Sequence, residues 1–325
     1  MKKIFAIGLL CIVLSVQAAD KDRYFEIAKN MEICTQIYRE LNTYYVDDID
    51  PNKLMTDGIT KMLAGLDPFT NYITGADLDE YQLQTTGKYG GVGARIGKLN
   101  DYVIITDLYE GFPAQKAGLQ VGDAILEIDG KTATKYNSDE VSLLLKGEPG
   151  TKITVRVKLA ISNQELTFVF NREEIKIQSV PYSGMLNEQV GYIKLTSFTE
   201  NSSQEVQDAL RELKKNTGLK GVVLDLRGNG GGLLNEAISI CNTFVDKGVN
   251  IVNTKGKIAD ANFQYTTTGK PVDTEIPLVV LTDEGSASAS EIVSGSMQDL
   301  DRGVIIGQNT YGKGLVQSTA SLPYN

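Results

Sequence analysis

Histidine is absent from the 325 residues of this chain. That removes the Ser-His-Asp and Cys-His hydrolases and any zinc held by imidazole. A hydrolase built on this sequence must take its proton acceptor from Lys, Asp, Glu or Tyr. Basic tracts are absent too. Acidic residues outnumber basic ones by 41 to 32 and the net charge is −9, which argues against a nucleic-acid backbone as partner. The long apolar runs of a multi-spanning membrane protein are missing, as are internal repeats and low-complexity stretches. Cysteine is scarce, at Cys11, Cys34 and Cys241 alone. What remains, 42% hydrophobic and 22% charged residues, is a globular mixture long enough for two or three domains.

The chain opens with Lys2 and Lys3, the apolar run Ile4–Leu14 and then Val16-Gln17-Ala18-Ala19. A charged start, a short apolar core and small residues at a cut site are the pattern of a secretory signal peptide. Cleavage is expected after Ala18 or Ala19, with Cys11 inside the signal. The expected location is exported, periplasmic or cell envelope. The run is too short to span a bilayer, so no stable membrane span is expected after cleavage. Cys34 falls in the helical series Ile27, Met31, Cys34, Tyr38, Leu41, and Cys241 in Leu234, Ile238, Cys241, Val245. Both read as buried small side chains rather than a disulfide. A catalytic Cys would need an activating base, and no His is present.

Beyond residues 1–18, the text divides into three regions. Residues 19–85 read as helices, one of them starting at Asp50-Pro51, where an acid caps and Pro takes the first helical position. Residues 86–172 form a small β-rich module. Gly87, Gly90, Gly91 and Gly93 break up its start. Strands are expected at Tyr102–Leu108, Ala124–Ile128, Ile153–Lys158 and Leu166–Phe170, and short helices at Pro113–Ala117 and Ser138–Leu145. Asn137 with Glu140 has the spacing of a capping box. From Glu173 to residue 325 strands and helices alternate. Gly221–Leu226 and Pro277–Thr282 are continuous apolar runs of the kind covered on both faces. Val304–Ile306 and Leu315–Gln317 are also expected to be strands. The fold class is therefore α+β multidomain.

Three features in the last region can carry chemistry. Asp225-Leu226-Arg227-Gly228-Asn229-Gly230-Gly231-Gly232 joins a buried strand to a helix. Its glycines permit a tight turn with N–H groups free to bind an anion or an oxyanion, although on this feature alone a plain strand–helix turn is the favoured account. Gly285-Ser286-Ala287-Ser288-Ala289-Ser290-Glu291 joins another such strand to another helix, and the alternating serines leave the choice of reactive hydroxyl open. Helix capping is the bland account of them. Gly312-Lys313-Gly314-Leu315-Val316-Gln317 holds a Lys between glycines. An amine drawn out of water gives up its proton more readily and can serve as a base, whereas an ordinary Lys stays on the surface. On a strand Lys313 and Gln317 share a face. Together the three supply a nucleophile, a base and an anion cradle, and Ser–Lys is the hydrolytic dyad left to a chain without His.

These motifs, with Leu66-Asp67-Pro68-Phe69-Thr70-Asn71-Tyr72, Gly90-Gly91-Val92-Gly93, the stretch Pro113–Asp123 and Ile128-Asp129-Gly130, occur in an order that resembles the carboxy-terminal processing peptidases, or tail-specific serine proteases. The resemblance covers almost the whole mature sequence and implies a PDZ domain over 86–172 and a crotonase/ClpP-like Ser-Lys peptidase core over 173–325. It implies Ser288 as nucleophile, 25 residues before the base Lys313, with Gln317 orienting the Lys. It implies Ala289 and Gly231 as oxyanion donors, with Gly230 standing where the family often has Pro. Asp299 and Arg302 become supporting residues, and Gly90, Gly91, Val92 and Gly93 the loop that captures a peptide's terminal carboxylate. Lys146-Gly147 departs from the family's usual Arg-Gly. No metal or organic cofactor is implied. Family members generally continue past the Gln317 strand, so a chain ending at Asn325 is expected to be a fragment with little peptidase activity.

The implied function is a secreted serine endopeptidase that recognises and cleaves C-terminal tails of envelope proteins. The partners are protein or peptide tails. A PDZ-bearing adaptor with an incomplete peptidase domain is the alternative. An amidase or esterase using the same dyad is weaker, because a small substrate needs no tail receptor.

Overall fold

A computed structural model of the chain describes residues 2–323. The side chains of residues 2–21, and of Gly75, Ala76, Asp79 and Glu80, lie outside that description, as do Tyr324 and Asn325. The expected signal segment and its cut sites fall there. Among the described residues no helix is long and apolar enough to cross a membrane. The chain forms two compact units, dividing between Tyr72 and Ile73.

The first unit holds helices α1 (Lys2–Tyr44) and α2 (Pro51–Leu63). Asp50 starts α2 as its sequence predicts: one carboxylate oxygen accepts from the N–H groups of Asn52 and Lys53 at 2.9 and 3.1 Å. The Tyr38 hydroxyl donates to the Pro51 carbonyl at 2.9 Å, tying α1 to that start. Cys34 corrects the expectation of burial. It is exposed, and so are Ile27 and Met31 on the same helical stripe, because no described neighbour covers that face. Cys241 is buried as expected, and burial pushes its thiol up to about 12 despite a hydrogen bond with Ser296.

The second unit starts with helix α3 (Gly75–Thr86) and strand β1 (Lys88–Gly91). Then follow β2 (Ala94–Leu99), β3 (Tyr102–Leu108), α4 (Pro113–Lys116), β4 (Ala124–Ile128), β5 (Lys131–Thr132), α5 (Ser138–Leu145), β6 (Lys152–Lys158) and β7 (Glu165–Asn171). These strands make one antiparallel sheet in the order β2-β3-β4-β6-β7, with β5 paired beside β4. β6 alternates strictly between buried Ile153, Val155 and Val157 and partly exposed partners, the period-2 signature of a half-covered strand. Those three pack with Val103, Ile105, Ile125 and Val141 into a core of this module's own. The capping box of α5 forms as predicted: Asn137 Oδ1 accepts from Asp139 and Glu140, and the Glu140 carboxylate accepts from the Asn137 N–H at 2.8 Å.

β8 (Glu173–Lys176) returns to pair antiparallel with β1 and closes the module. The chain continues with β9 (Tyr182–Met185), β10 (Val190–Lys194), α6 (Ser202–Leu213), β11 (Gly221–Asp225) and α7 (Leu234–Phe244). The hairpin β12 (Asn250–Thr254) and β13 (Phe263–Thr266) precedes β14 (Leu278–Thr282), α8 (Ala289–Asp299) and β15 (Val304–Gly307). The five-stranded sheet runs β15-β14-β11-β10-β9, parallel except for β9. Its middle strands bury Ile193, Val222, Leu224 and Val280 against Val206, Leu210, Ile240 and Val293 of the helices. Each such side chain contributes about 1.5–3 kcal/mol relative to exposure. Leu315–Gln317 corrects a second expectation. It is not a strand: the segment after Gly307 has no regular structure through Pro323, and Leu315 and Val316 are exposed. Apolar residues without a neighbouring strand to pair with do not make one.

Candidate active site

Two strand–turn–helix junctions meet at the carboxyl ends of β11 and β14, which pair in register from Val222 with Leu278 to Asp225 with Leu281. The turn after β11 is shaped by Asp225. This buried carboxylate accepts from the Tyr192 hydroxyl at 2.6 Å and from the Arg227 main chain and guanidinium at 2.7–3.0 Å, with Lys194 at 3.3 Å. Burial alone would raise its pKa, but Arg227, Tyr192 and Lys194 outweigh burial and hold it well below the usual carboxylate range. Asn229, also buried, donates to the Leu195 carbonyl at 3.0 Å, and its Oδ1 accepts from the Gly231 N–H at 2.9 Å. Phe198 fixes the far side of the turn, donating to Gly231 O and accepting from the Leu233 N–H.

The turn after β14 separates its three serines. Ser286 is buried; its hydroxyl donates to the Leu226 carbonyl at 2.9 Å and accepts from the Asp283 N–H. Ser290 is buried and donates to the Asn229 carbonyl at 2.8 Å. Both hydroxyls therefore stitch this turn to the one after β11. Ser288 alone of the three is partly accessible. Its backbone sits at φ 56°, ψ −112°, a region a non-glycine residue occupies at a cost of about 1–3 kcal/mol. A serine strained in this way between a strand and a helix is the geometry of an activated nucleophile turn. Ala289 opens α8. The neighbouring Ser290, Glu291 and Ile292 donate to Ala287 and Ser288 carbonyls, whereas the Ala289 N–H finds no acceptor among the described residues.

Gly231 lies against this turn. A Cβ placed on it would stand 2.7 Å from Ala287 O, 2.9 Å from Ser288 Cβ and 3.0 Å from Ala289 N, and its φ of +102° is itself a glycine conformation. The expected donors thus flank Ser288 on both sides, but in this arrangement the Gly231 N–H is engaged by Asn229. Asp283 adds a further tie, accepting from the Gly228 N–H at 2.8 Å and from Gly285 at 3.0 Å.

The lysine segment is held by a residue to which the sequence had assigned no role. One carboxylate, that of Glu291, accepts from the Ser288 N–H at 2.7 Å, the Thr310 hydroxyl at 2.8 Å, the Gly312 N–H at 2.7 Å and the Lys313 N–H at 2.9 Å. Burial would push this carboxyl up, yet the hydrogen bonds from Thr310, Ser288, Gly312 and Lys313 prevail and hold it below its ordinary value. Tyr311 N–H donates to Ser286 O, and Gln308 N–H to Thr282 O. Lys313 Nζ donates to Gln317 Oε1. The contact expected of a strand face is made by an irregular segment. The one clue to Glu291 was its place as the charged end of the serine motif.

The supporting residues lie elsewhere in the core. Asp299 is exposed at the end of α8. Arg302 donates to the carbonyls of Phe244, Ile276 and Asp273 at 2.7–3.2 Å, and burial lowers its guanidinium from its ordinary value. In the β-rich module, Gly90 and Gly91 belong to β1 and pair with Glu174 and Glu173, while Val92 and Gly93 turn the chain into β2. Gly90 packs so closely on Gly147 that a Cβ would meet its carbonyl at 2.2 Å. Beyond this turn a groove of about 300 Å³ runs between β2 and α5, floored by Val92, Ala94, Ile96 and Leu145. Among the described residues no cluster of acid or Cys side chains has the spacing to hold a metal ion.

Sequence comparison agrees with this layout. Residues 189–325 match the profile of peptidase family S41, and residues 104–159 match a PDZ domain. Over 292 residues the chain is 35% identical to the carboxy-terminal-processing protease of Bartonella bacilliformis, covering 89% of this chain and 67% of that one. It is 34% identical over 292 residues to a probable CtpA-like serine protease of Staphylococcus aureus, covering 89% of this chain and 58% of the relative. A solved photosystem II D1 C-terminal processing protease superposes with a TM-score of 0.47 at 31% identity, over 89% of this chain and 83% of that one. The fold and loops define a PDZ-bearing serine peptidase architecture. The chain belongs to the carboxy-terminal-processing proteases of peptidase family S41.

Proposed function

We propose that this protein is an exported serine endopeptidase of the cell envelope that cleaves C-terminal tails of proteins with a Ser288–Lys313 dyad. The observation that carries the reading is the Glu291 carboxylate, which holds the strained Ser288 backbone and the Lys313 backbone at once. In this reading the neutral Lys313 amine takes the Ser288 proton as Oγ attacks the scissile carbonyl carbon. Gln317 orients the amine. The oxyanion of the tetrahedral intermediate takes the Ala289 N–H, and the Gly231 N–H when Asn229 releases it. Collapse breaks the C–N bond, and Lys313 returns the proton to the leaving amine. Water, deprotonated by the same lysine, then releases the acyl group. Gly90, Gly91, Val92 and Gly93 place the tail's carboxylate at one end of the groove between β2 and α5.

The test is cleavage of a tailed model protein by the full-length enzyme, followed by mass spectrometry. Ser288→Ala and Lys313→Ala should each abolish it, and the double variant should lose no more than either one, since the pair acts as a unit. Normal turnover by Ser288→Ala would sink the assignment.

A further inference from the structure

The groove of the PDZ module carries the inference, which rests on its reading as a peptide site. β2 is the outermost strand of its sheet, so one edge of its backbone is open to an added strand. The charges around that edge are unevenly placed. Arg95 stands exposed on β2 between the floor residues Ala94 and Ile96 and borders the groove. Lys146 ends α5 next to Gly147, whose N–H donates to Gly90 O, and its ammonium lies 5.9 Å from the Tyr89 ring centroid. Asp139 lines the opposite end, in the first turn of α5.

The ion pairs of this module fall elsewhere: Lys88 with Glu174, Lys116 with Glu173, Arg156 with Glu127 and Glu165, and Arg172 with Asp129. Arg95 and Lys146 join none of them among the described residues. Asp107 stands opposite Arg95 in the β2–β3 register without forming an ion pair. Two cations thus border one groove without an ion pair among the described residues, with Asp139 at its far end, in a chain of net charge −9.

We propose that the groove selects tails with an apolar last residue and an acidic penultimate one, with Arg95 as the specificity-determining residue. The carboxylate end of the peptide sits at Gly90–Gly93, before β2, so the peptide must run antiparallel to β2. Side chains alternate along both strands. The last side chain then drops to the floor beside Ala94 and Ile96, and the next one points to the face that carries Arg95. A carboxylate there meets the guanidinium, whereas a lysine meets like charge. Lys146 at the Gly90 end faces the terminal carboxylate.

The experiment uses the 325-residue chain carrying Ser288→Ala, so that peptide is not consumed. Fluorescence anisotropy follows labelled peptides with a free carboxylate, an apolar last residue and Glu or Lys before it. The Glu peptide should bind about fivefold more tightly than the Lys peptide, a difference that salt narrows and that Arg95→Glu reverses. Equal affinities, with free-acid peptides still preferred over their amides, would overturn the role of Arg95 and leave the groove a peptide site. Equal binding of acid and amide forms would overturn both.

Discussion

The junction loops and the groove treat charge in opposite ways. Around Ser288, each buried or half-buried carboxylate is surrounded by donors: Asp225 by Tyr192, Lys194 and Arg227, Asp283 by Gly228, Gly285 and Ser286, and Glu291 by four groups from two segments. Around the groove, Arg95 and Lys146 form no ion pair among the described residues, although Asp107 faces Arg95 across the strands and Asp139 lines the far end. A saturated charge fixes shape, because its field is spent on neighbours that cannot leave. An unsaturated one at a groove is kept for something that arrives. The contrast separates residues that build a site from residues that read a ligand.

The sharpest way to break the contrast is to remove a saturated charge. Asp225→Ala leaves Tyr192, Lys194 and Arg227 facing an uncompensated hole, and it should cost about 3 kcal/mol in urea unfolding. A loss below about 0.5 kcal/mol would mean the cluster is decorative. Gly231→Ala follows. Its methyl group meets Ala287, Ser288 and Ala289 at 3.0 Å or less, at a left-handed φ. It should lower stability by about 1–3 kcal/mol and remove peptidase activity. Full activity in that variant would show that the two turns are less tightly apposed.

Acid should open the Glu291 clamp. Its carboxyl lies below the ordinary value when folded. The stability it adds is therefore present in full above the unfolded-state value of about 4.3 and is lost as pH falls through the lower folded value. The amide resonances of Ser288, Gly312 and Lys313 should shift together with a midpoint below that unfolded-state value of about 4.3; a common midpoint above it would contradict the sign. The smallest effect belongs to the groove. Arg95→Ala and Lys146→Ala should each leave unfolding free energy within about 0.5 kcal/mol of the parent chain while weakening peptide binding. A larger stability change would make them structural residues after all.

Much of the fold and part of the candidate site were legible in the sequence, and what was not has physical reasons. Periodicity located β3, β4 and α5 to the residue, because each alternates or repeats with one covered face. β2 escaped because Gly93 and Gly97 interrupt its pattern, and its pairing comes from β3 rather than from its own composition. The strand expected at Leu315–Gln317 failed for the complementary reason: β-propensity without a partner has no ladder to join. The serine motif named its chemistry but not its reactive member, since alternation treats Ser286, Ser288 and Ser290 alike. The family resemblance singled out Ser288, and the burial of the other two with their hydrogen bonds to the Leu226 and Asn229 carbonyls is what the structure adds. Glu291 was unreadable as a clamp because its partners at Thr310, Gly312 and Lys313 lie across a strand and two turns. Cys34 was misplaced because a helical stripe says which residues share a face, not what lies opposite.

The open edge of β2 has a consequence for the protein in crowded solution. A bare strand edge is a template for a second copy of itself, and such pairing starts fibres and precipitates. This edge carries Arg95 and Lys98, both exposed. Two such edges brought together antiparallel would set cation against cation along the seam. The charges that welcome an acidic tail also keep the empty groove from recruiting its own kind, so a substitution that neutralises both should appear first as turbidity on concentration.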